Sequence, residues 1–361
     1  MKLALFYHSL LSDWNHGNAH FLRGVVSELL ARGHQVEVYE PNDAWSLVNL
    51  LAECGEVALL DFVHYYPGLR SHRYDPARFA PEEVLAGADL AIVHEWNAPE
   101  LVARIGRYRA GNEALRLLFH DTHHRAVSAP EEMARYDLRH YDGVLAFGEI
   151  LRTIYLHRGW ARRVWTWHEA ADTRLFRPDP EASKMRDLVW IGNWGDGERN
   201  AELEEFLIEP AAELGLCADV FGVRYPRELQ KRLRKSGIAY KGWLPNYKAP
   251  EVYAETRMTV HIPRGPYVRQ MPGIATIRPF EALACAVPLV SAPWEDSERL
   301  FTEGKDYLLA RDGAEMRCHL DRLREDEELA HSLAQHGLET IRARHTCAHR
   351  VDELLAVAAA L

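Results

Sequence analysis

Leu3-Ala4-Leu5-Phe6-Tyr7, the helically spaced Phe21, Val25, Val26, Leu29 and Leu30, then Gly33 and Gln35-Val36-Glu37-Val38-Tyr39, together decide the fold. A short apolar run suits a strand covered on both faces, while the spacing that follows is that of a helix. Gly33 suits the left-handed residue that ends a helix. Strand, helix and strand in that order make a β-α-β unit, whose two strands are parallel.

The alternation continues outward from this unit. Leu90–Val93, Leu117–Phe119, Val144–Phe147 and Val164–Trp167 read as further strands separated by helix-like segments. Asp172–Lys184 holds Pro178, Pro180, several charges and little apolar periodicity, which reads as an interdomain linker. Strands then restart at Leu188–Ile191, Ala218–Phe221, Thr259–Ile262 and Leu289–Ser291, with helices around Ala201–Leu214, Pro226–Lys235 and Pro279–Ala286. After Asp312 the chain turns helical and closes on the apolar run Leu354–Leu361. The expected class is α/β, with Rossmann-like domains over residues 1–171 and 184–347, a linker over 172–183 and a last helix over 348–361.

Composition narrows the function. With 361 residues, 47% hydrophobic and 27% charged, the chain is ordinary globular material. No apolar stretch approaches the roughly 18–20 residues of a membrane span, and Met1–Tyr7 reads as a strand rather than a secretory signal. A cytoplasmic protein is expected, with nothing to indicate peripheral membrane contact. Five scattered cysteines form no C-x-x-C pair, which points away from disulfides and zinc knuckles. A net charge of -10 points away from a nucleic-acid partner.

Three segments carry chemistry. His16-Gly17-Asn18-Ala19-His20 opens the first helix, where a glycine lets backbone approach a ligand and free amides attract an anion; a plain turn explains it as well. His120-Asp121-Thr122-His123-His124 follows a strand, and open α/β sheets bind ligands at the carboxyl ends of their strands. These histidines suit polar sugar contacts or packing, but adjacent His123 and His124 converge poorly on a metal. The third segment runs from Met271-Pro272-Gly273 through Ile274-Ala275-Thr276-Ile277-Arg278-Pro279-Phe280-Glu281 to Ser291. A helix starting near Pro279 puts Glu281 beside a helix N-terminus, where a carboxylate stays ionised and can accept both hydroxyls of a ribose. A simple helix-end charge fits that position equally well. No G-x-S-x-G elbow and no P-loop occurs.

Arg278–Ser291 resembles the donor-site signature of retaining GT-B glycosyltransferases of family 4, and more narrowly of their CgeB-like relatives. Tyr240-Lys241-Gly242-Trp243-Leu244-Pro245 with Val260–Arg264, Leu188–Trp194, and Glu169–Pro178 are similar to other segments of that group. The resemblance implies two Rossmann-like domains facing each other across a cleft, with the C-terminal helix crossing back to the first. It implies that Glu281 holds the donor ribose and that the amides of Gly273, Ile274, Ala275 and Thr276 cradle its diphosphate. Arg199 would neutralise phosphate, Gly242, Trp243 and Leu244 would flank the base, and His123 or His120 would sit near the transferred sugar. By position alone Arg199 reads equally as an exposed ion-pair partner. Gly273 stands where family 4 usually has a second Glu, and Ala286 where glycine is common.

The function implied is a retaining, metal-independent hexosyltransferase with no bound cofactor. It would move a sugar from a UDP- or GDP-linked donor to the hydroxyl of an unnamed acceptor. A nucleotide-sugar epimerase of GT-B shape and a non-catalytic nucleotide-sugar-binding partner protein are the alternatives. Phe62–Phe79, rich in Tyr, His and Arg, reads as an acceptor-choosing loop or equally as a covered surface loop.

Overall fold

In the first half, apolar runs become the middle of a parallel sheet built from β1 (Lys2–Phe6), β2 (Gln35–Pro41), β3 (Ser71–Tyr74), β4 (Leu90–His94), β5 (Arg116–Asp121), β6 (Gly143–Ala146) and β7 (Val164–Thr166). Its order is β3-β2-β1-β4-β5-β6-β7. Every side chain of β4 and β6 is buried, as expected for strands with helices on both faces. The second half repeats the scheme with β8 (Arg186–Ile191), β9 (Ala218–Phe221), β10 (Ile238–Gly242), β11 (Thr256–His261), β12 (Leu289–Ser291) and β13 (Leu308–Leu309), ordered β10-β9-β8-β11-β12-β13. Leu188, Val220, Met258, Val260 and Val290 from this sheet form a core with Met316 and Leu320 of the helix Gly313–Glu325. In each sheet the strand order reverses beside the first strand, between β1 and β4 and between β8 and β11. Ligands of doubly wound sheets bind at that crevice.

The structure, a computed structural model, describes residues 1–195 and 197–361. The chain divides into two compact units, Met1–Glu169 with Cys347–Leu361, and Ala170–Thr346. The last helix, Cys347–Ala359, belongs to the first unit. Its Arg350 carbonyl accepts from Trp167 Nε1 at 2.8 Å, and its Asp352 pairs with Arg32 at 2.5 Å. All five cysteines are free thiols. Among the described residues no helix is long and apolar enough to cross a membrane.

Three local expectations need correction. Phe62–Phe79 is not one loop: it contains the end of the helix Val57–Tyr65 and the edge strand β3, paired with β2. The helix expected over Ala201–Leu214 is interrupted by a wide π turn at Glu204–Ile208. Pro210 explains this, since it has no N–H and its ring crowds the preceding turn. The helix expected from Pro279 starts earlier, at Ile277, after Thr276.

Gly222, at the end of β9, has φ 150, and a Cβ there would lie 2.1 Å from the Gly192 carbonyl oxygen. Backbone cannot give way as a side-chain tip can. Strain and overpacking of this kind cost about 2–4 kcal/mol together. Gly222→Ala is therefore expected to lower the thermal midpoint of the second unit by roughly 5–15 °C. A midpoint within a degree of the parent would show that the β8–β9 ends are not held as described.

Candidate functional site

At the crevice of the second sheet, Arg199 is drawn inward from the loop after β8. Its Nη1 donates to the Ile262 carbonyl at 2.8 Å and its Nη2 to the Asn193 carbonyl at 2.5 Å, with the guanidinium 5.3 Å from the Trp190 ring centre. Arg199 is buried, so the exposed ion-pair reading is corrected. Its Nε has no hydrogen-bond partner among the described residues. Burial pulls its pKa down to about 10; Tyr225 and Glu198 oppose this, while the charges of Arg264 and Arg278 add to it. Even so lowered, the group is cationic at neutral pH. Arg264, just past β11, makes a two-point pair with Glu198 at 2.8 Å in both bonds. Three guanidinium groups thus act on one another from separate elements. Glu198 pairs with Arg264 and Glu281 with Arg278, whereas among the described residues the Arg199 guanidinium bonds only backbone carbonyls.

Arg278 also pairs with Glu281. Glu281 is fully buried in the second turn of the helix Ile277–Ala284, not beside its N-terminus as expected. Its other oxygen accepts from Asn246 Nδ2 at 2.5 Å. Asn246 follows Gly242-Trp243-Leu244-Pro245, so the segment expected to flank the base and the carboxylate expected to hold the ribose are joined by one hydrogen bond. Trp243 and Leu244 are half-buried.

The loop before this helix is less open than expected. Gly273 N donates to the Glu295 carbonyl at 2.8 Å, and Ile274 N to the Met271 carbonyl at 3.4 Å. Of the four amides expected to cradle a diphosphate, those of Ala275 and Thr276 carry no backbone bond. Gly273 has φ 91, and a Cβ there would lie 2.6 Å from Ser297 Oγ and 3.0 Å from Glu298 Cγ. No larger residue fits that backbone unchanged, which explains why a glutamate is missing there.

In the first unit the loop between β1 and the helix Ala19–Ala31 is held by buried polar anchors. Glu40 accepts from Leu10 N at 2.7 Å, and Ser12 Oγ bonds Ser46 Oγ at 2.8 Å. Arg23, itself fully buried, donates to the Leu10 carbonyl at 2.7 Å and to Asp13 at 2.8 Å. The left-handed residue of this loop is Asn15, φ 54, not Gly17. Gly17 therefore needs no special backbone angle. Asn18 Nδ2 donates to Thr122 Oγ1, tying the glycine turn to the histidine segment.

That segment splits by burial. His120 stands opposite His94 in the β4–β5 register and is fully buried, with its ring 4.8 Å from that of Trp167, 5.1 Å from His94 and 6.0 Å from Phe21, centroid to centroid. Burial takes its pKa down to about 3. It is sealed among these rings. His123 is half-buried, its N–H bonded to Asp121 Oδ1 at 3.1 Å and its ring 5.2 Å from that of Trp96. Beneath it, Asp121 accepts from the Tyr155 hydroxyl at 2.7 Å, and buried Glu95 pairs with Arg125. Burial and the Asp121 charge push Glu95 up to about 8, against the pull of Arg125. Sequence reading missed Asn246, Arg264, Arg278 and Trp96 as contributors. Arg264 and Trp96 share a legible signal, each lying within three residues of a strand's carboxyl end.

Residues 199–356 match the family described as glycosyl transferase-like. No curated protein matches the chain by sequence. Solved structures do match in fold. Sucrose-phosphate synthase from Thermosynechococcus elongatus aligns over 99% of this chain and 98% of its own, at 16% identity and a TM-score of 0.68. Anabaena HepE in complex with UDP aligns over all of both chains at 14% identity and a TM-score of 0.68. An alpha-glucosyltransferase in complex with UDP-glucose and DNA containing an abasic site aligns over 99% of both chains at 12% identity and a TM-score of 0.72.

Proposed function

We propose that this chain moves a sugar from a nucleoside diphosphate to an acceptor hydroxyl, a reading supported by the match of residues 199–356 to the glycosyl transferase-like family and by the GT-B fold. The reading rests above all on the gathering of Arg199, Arg264 and Arg278 beside Glu281 and Asn246 at the crevice of the second sheet. A nucleoside diphosphate answers both needs. Its phosphates suit the Arg199 guanidinium, which no described carboxylate pairs, and its ribose diol offers hydroxyls to a carboxylate. The finer kinship with CgeB-like relatives and transfer of a hexose are part of this proposal.

In the reaction, the bond from sugar to diphosphate breaks as the acceptor oxygen attacks the anomeric carbon. Negative charge grows on the leaving phosphate, and guanidinium groups already in place stabilise it without reorganising. With retention, the acceptor's proton passes to that leaving phosphate oxygen. Both an alpha- and a beta-glucosyltransferase share this fold, so stereochemistry belongs to the site rather than to the architecture.

Thermal unfolding with UDP, GDP, ADP and dTDP tests the donor site, because a ligand at 100 times its Kd stabilises by about 2.7 kcal/mol. UDP is the first choice, as it is the nucleotide bound in HepE and in the alpha-glucosyltransferase. Failure of all four to raise the midpoint would remove the proposal. Incubation with the sugar nucleotide alone separates the alternatives, since an epimerase converts it without an acceptor and a silent binder leaves it intact.

Two further outcomes are expected. Cations that neutralise the leaving group come from the chain itself, so EDTA should leave turnover unchanged. Loss of activity restored by magnesium or manganese would contradict this. His123→Ala should lower kcat about tenfold or more while nucleotide binding holds, the pattern of a contact made mainly in the transition state. An unchanged kcat would free His123 of any part in transfer.

A further inference from the structure

Of the ten large apolar side chains exposed among the described residues, five fall within residues 45–63. They belong to two helices, Trp45–Cys54 and Val57–Tyr65, joined through Gly55 and packed on one another. The first helix buries Ser46, Leu47 and Leu50, and the second buries Ala58 and Phe62. Opposite those inner faces the first helix turns out Trp45, Val48 and Ala52, and the second turns out Val57, Leu60 and Val63. Residues three or four apart share one side of a helix, so each set is a continuous stripe. Both inner faces lie on the first unit, and both stripes therefore point away from it.

A surface helix ordinarily carries charge on its outer side, and a helix apolar on both sides is ordinarily covered on both. Val57–Tyr65 is apolar on both, and Leu60, in the middle of its outer stripe, is 71% exposed. Trp45 is 49% exposed, Val48 52%, Val57 63% and Val63 56%. Together these five side chains present roughly 500 Å², at the upper end of the largest apolar patch on an ordinary monomer.

The charges decide what covers the patch. Residues 45–69 contain no Lys or Arg. Of their carboxylates, Glu53 accepts from Trp14 Nε1 at 2.7 Å, Glu56 lies in the turn between the helices, and Asp61 is half-buried at one side. A lipid surface draws helices whose polar side is basic, and an anionic one repels this pair. A second copy brings an uncharged apolar patch of the same shape. Two such patches bury roughly 1,000 Å² in total, the size at which a specific interface begins.

We infer that the helices Trp45–Cys54 and Val57–Tyr65 form the contact by which two copies of this chain associate about a two-fold axis. Such an axis sets the same patch on both sides, so two helices from each copy make a four-helix layer with Trp45, Val48, Leu60 and Val63 inside it. Trp45 is steadied within its own chain by the Trp14 ring, 5.0 Å away at 72°. An aromatic anchor already in position loses little freedom on docking.

The test is sedimentation velocity of the whole protein from about 1 to 100 µM, the range in which a contact of this size half-forms. The mass should rise toward that of two chains. Raising the salt from about 0.05 to 0.5 M should strengthen association, because the carboxylates around two like patches repel less when screened. Leu60→Asp and Trp45→Ala should each raise the dissociation constant about tenfold or more. Met185→Glu, at a comparably exposed apolar position of the second unit, should leave it unchanged. Thermal midpoints at the dilute end, equal in parent and variants, show that the fold is intact. A single-chain mass throughout, or association as strong in Leu60→Asp, overturns the inference. So does pelleting of single chains with phosphatidylcholine vesicles that Leu60→Asp abolishes, which would give the patch to a lipid surface. The UDP-induced shift, present or absent, bears on the donor site alone.

Discussion

Glu281→Ala should weaken binding of the preferred nucleoside diphosphate by roughly 10- to 150-fold, the equivalent of about 1.5–3 kcal/mol for hydrogen bonds to a charged group. Glu281 is fully buried and each of its oxygens already has a partner, Asn246 on one and Arg278 on the other. A carboxylate has about four acceptor positions, and these bonds orient it. A 2′,3′-dideoxy nucleotide should lose a comparable amount with the parent protein. With the variant, the same analogue should lose little more, because both changes delete one shared interaction. Calorimetric titration of two proteins with two nucleotides closes the cycle. Simple addition of the two losses would mean that Glu281 does not touch the ribose. Truncation also leaves Arg278 and Asn246 without their carboxylate, so Glu281→Gln serves as the milder companion variant.

The second large effect lies in the first unit. Arg23→Ala should destabilise it by about 3–5 kcal/mol, the range for breaking a buried ion pair from one side. Arg23 is fully buried, its partner Asp13 has 3% of its side chain exposed, and the guanidinium lies 5.1 Å from the Phe62 ring centre and 5.5 Å from that of Tyr66. The loss is mainly that of stranding Asp13 in a dry interior. A fall in the thermal midpoint of roughly 6–20 °C should follow. Arg23→Met combined with Asp13→Leu should recover much of it, since no charge is then left alone. A fall of only a degree or two for Arg23→Ala would show that the loop after β1 is held by its other anchors. His16 and Gly17 sit on that loop, so the glycine turn depends on this buried pair.

Much of the architecture was legible because its signals are local. Leu3–Phe6, Leu90–Val93 and Leu188–Ile191 announce buried parallel strands by apolar continuity, and Gly33 marks the end of a helix. The strands that escaped notice are β3, β10 and β13. They are the short edges of the two sheets, with one paired side and, in Ser71-His72-Arg73-Tyr74, a polar sequence. The early start of the helix at Ile277 was hidden by Pro279, which suits the first turn of a helix wherever in that turn it stands.

What the sequence determined by itself was the alternation of strands and helices in two tandem halves, and the residue types at the candidate donor site, because periodicity and turn chemistry act between near neighbours. Which of those residues meet was decided only by the tertiary structure. Asn246 reaches Glu281 across 35 positions, and Arg199, Arg264 and Arg278 come to one crevice from three elements. His120 and His123, three positions apart, diverge completely: one is sealed among Phe21, His94 and Trp167, the other stands half-open beside Trp96. Burial and charge depend on what the whole sheet brings alongside a residue, and that packing leaves no mark on the segment that carries it.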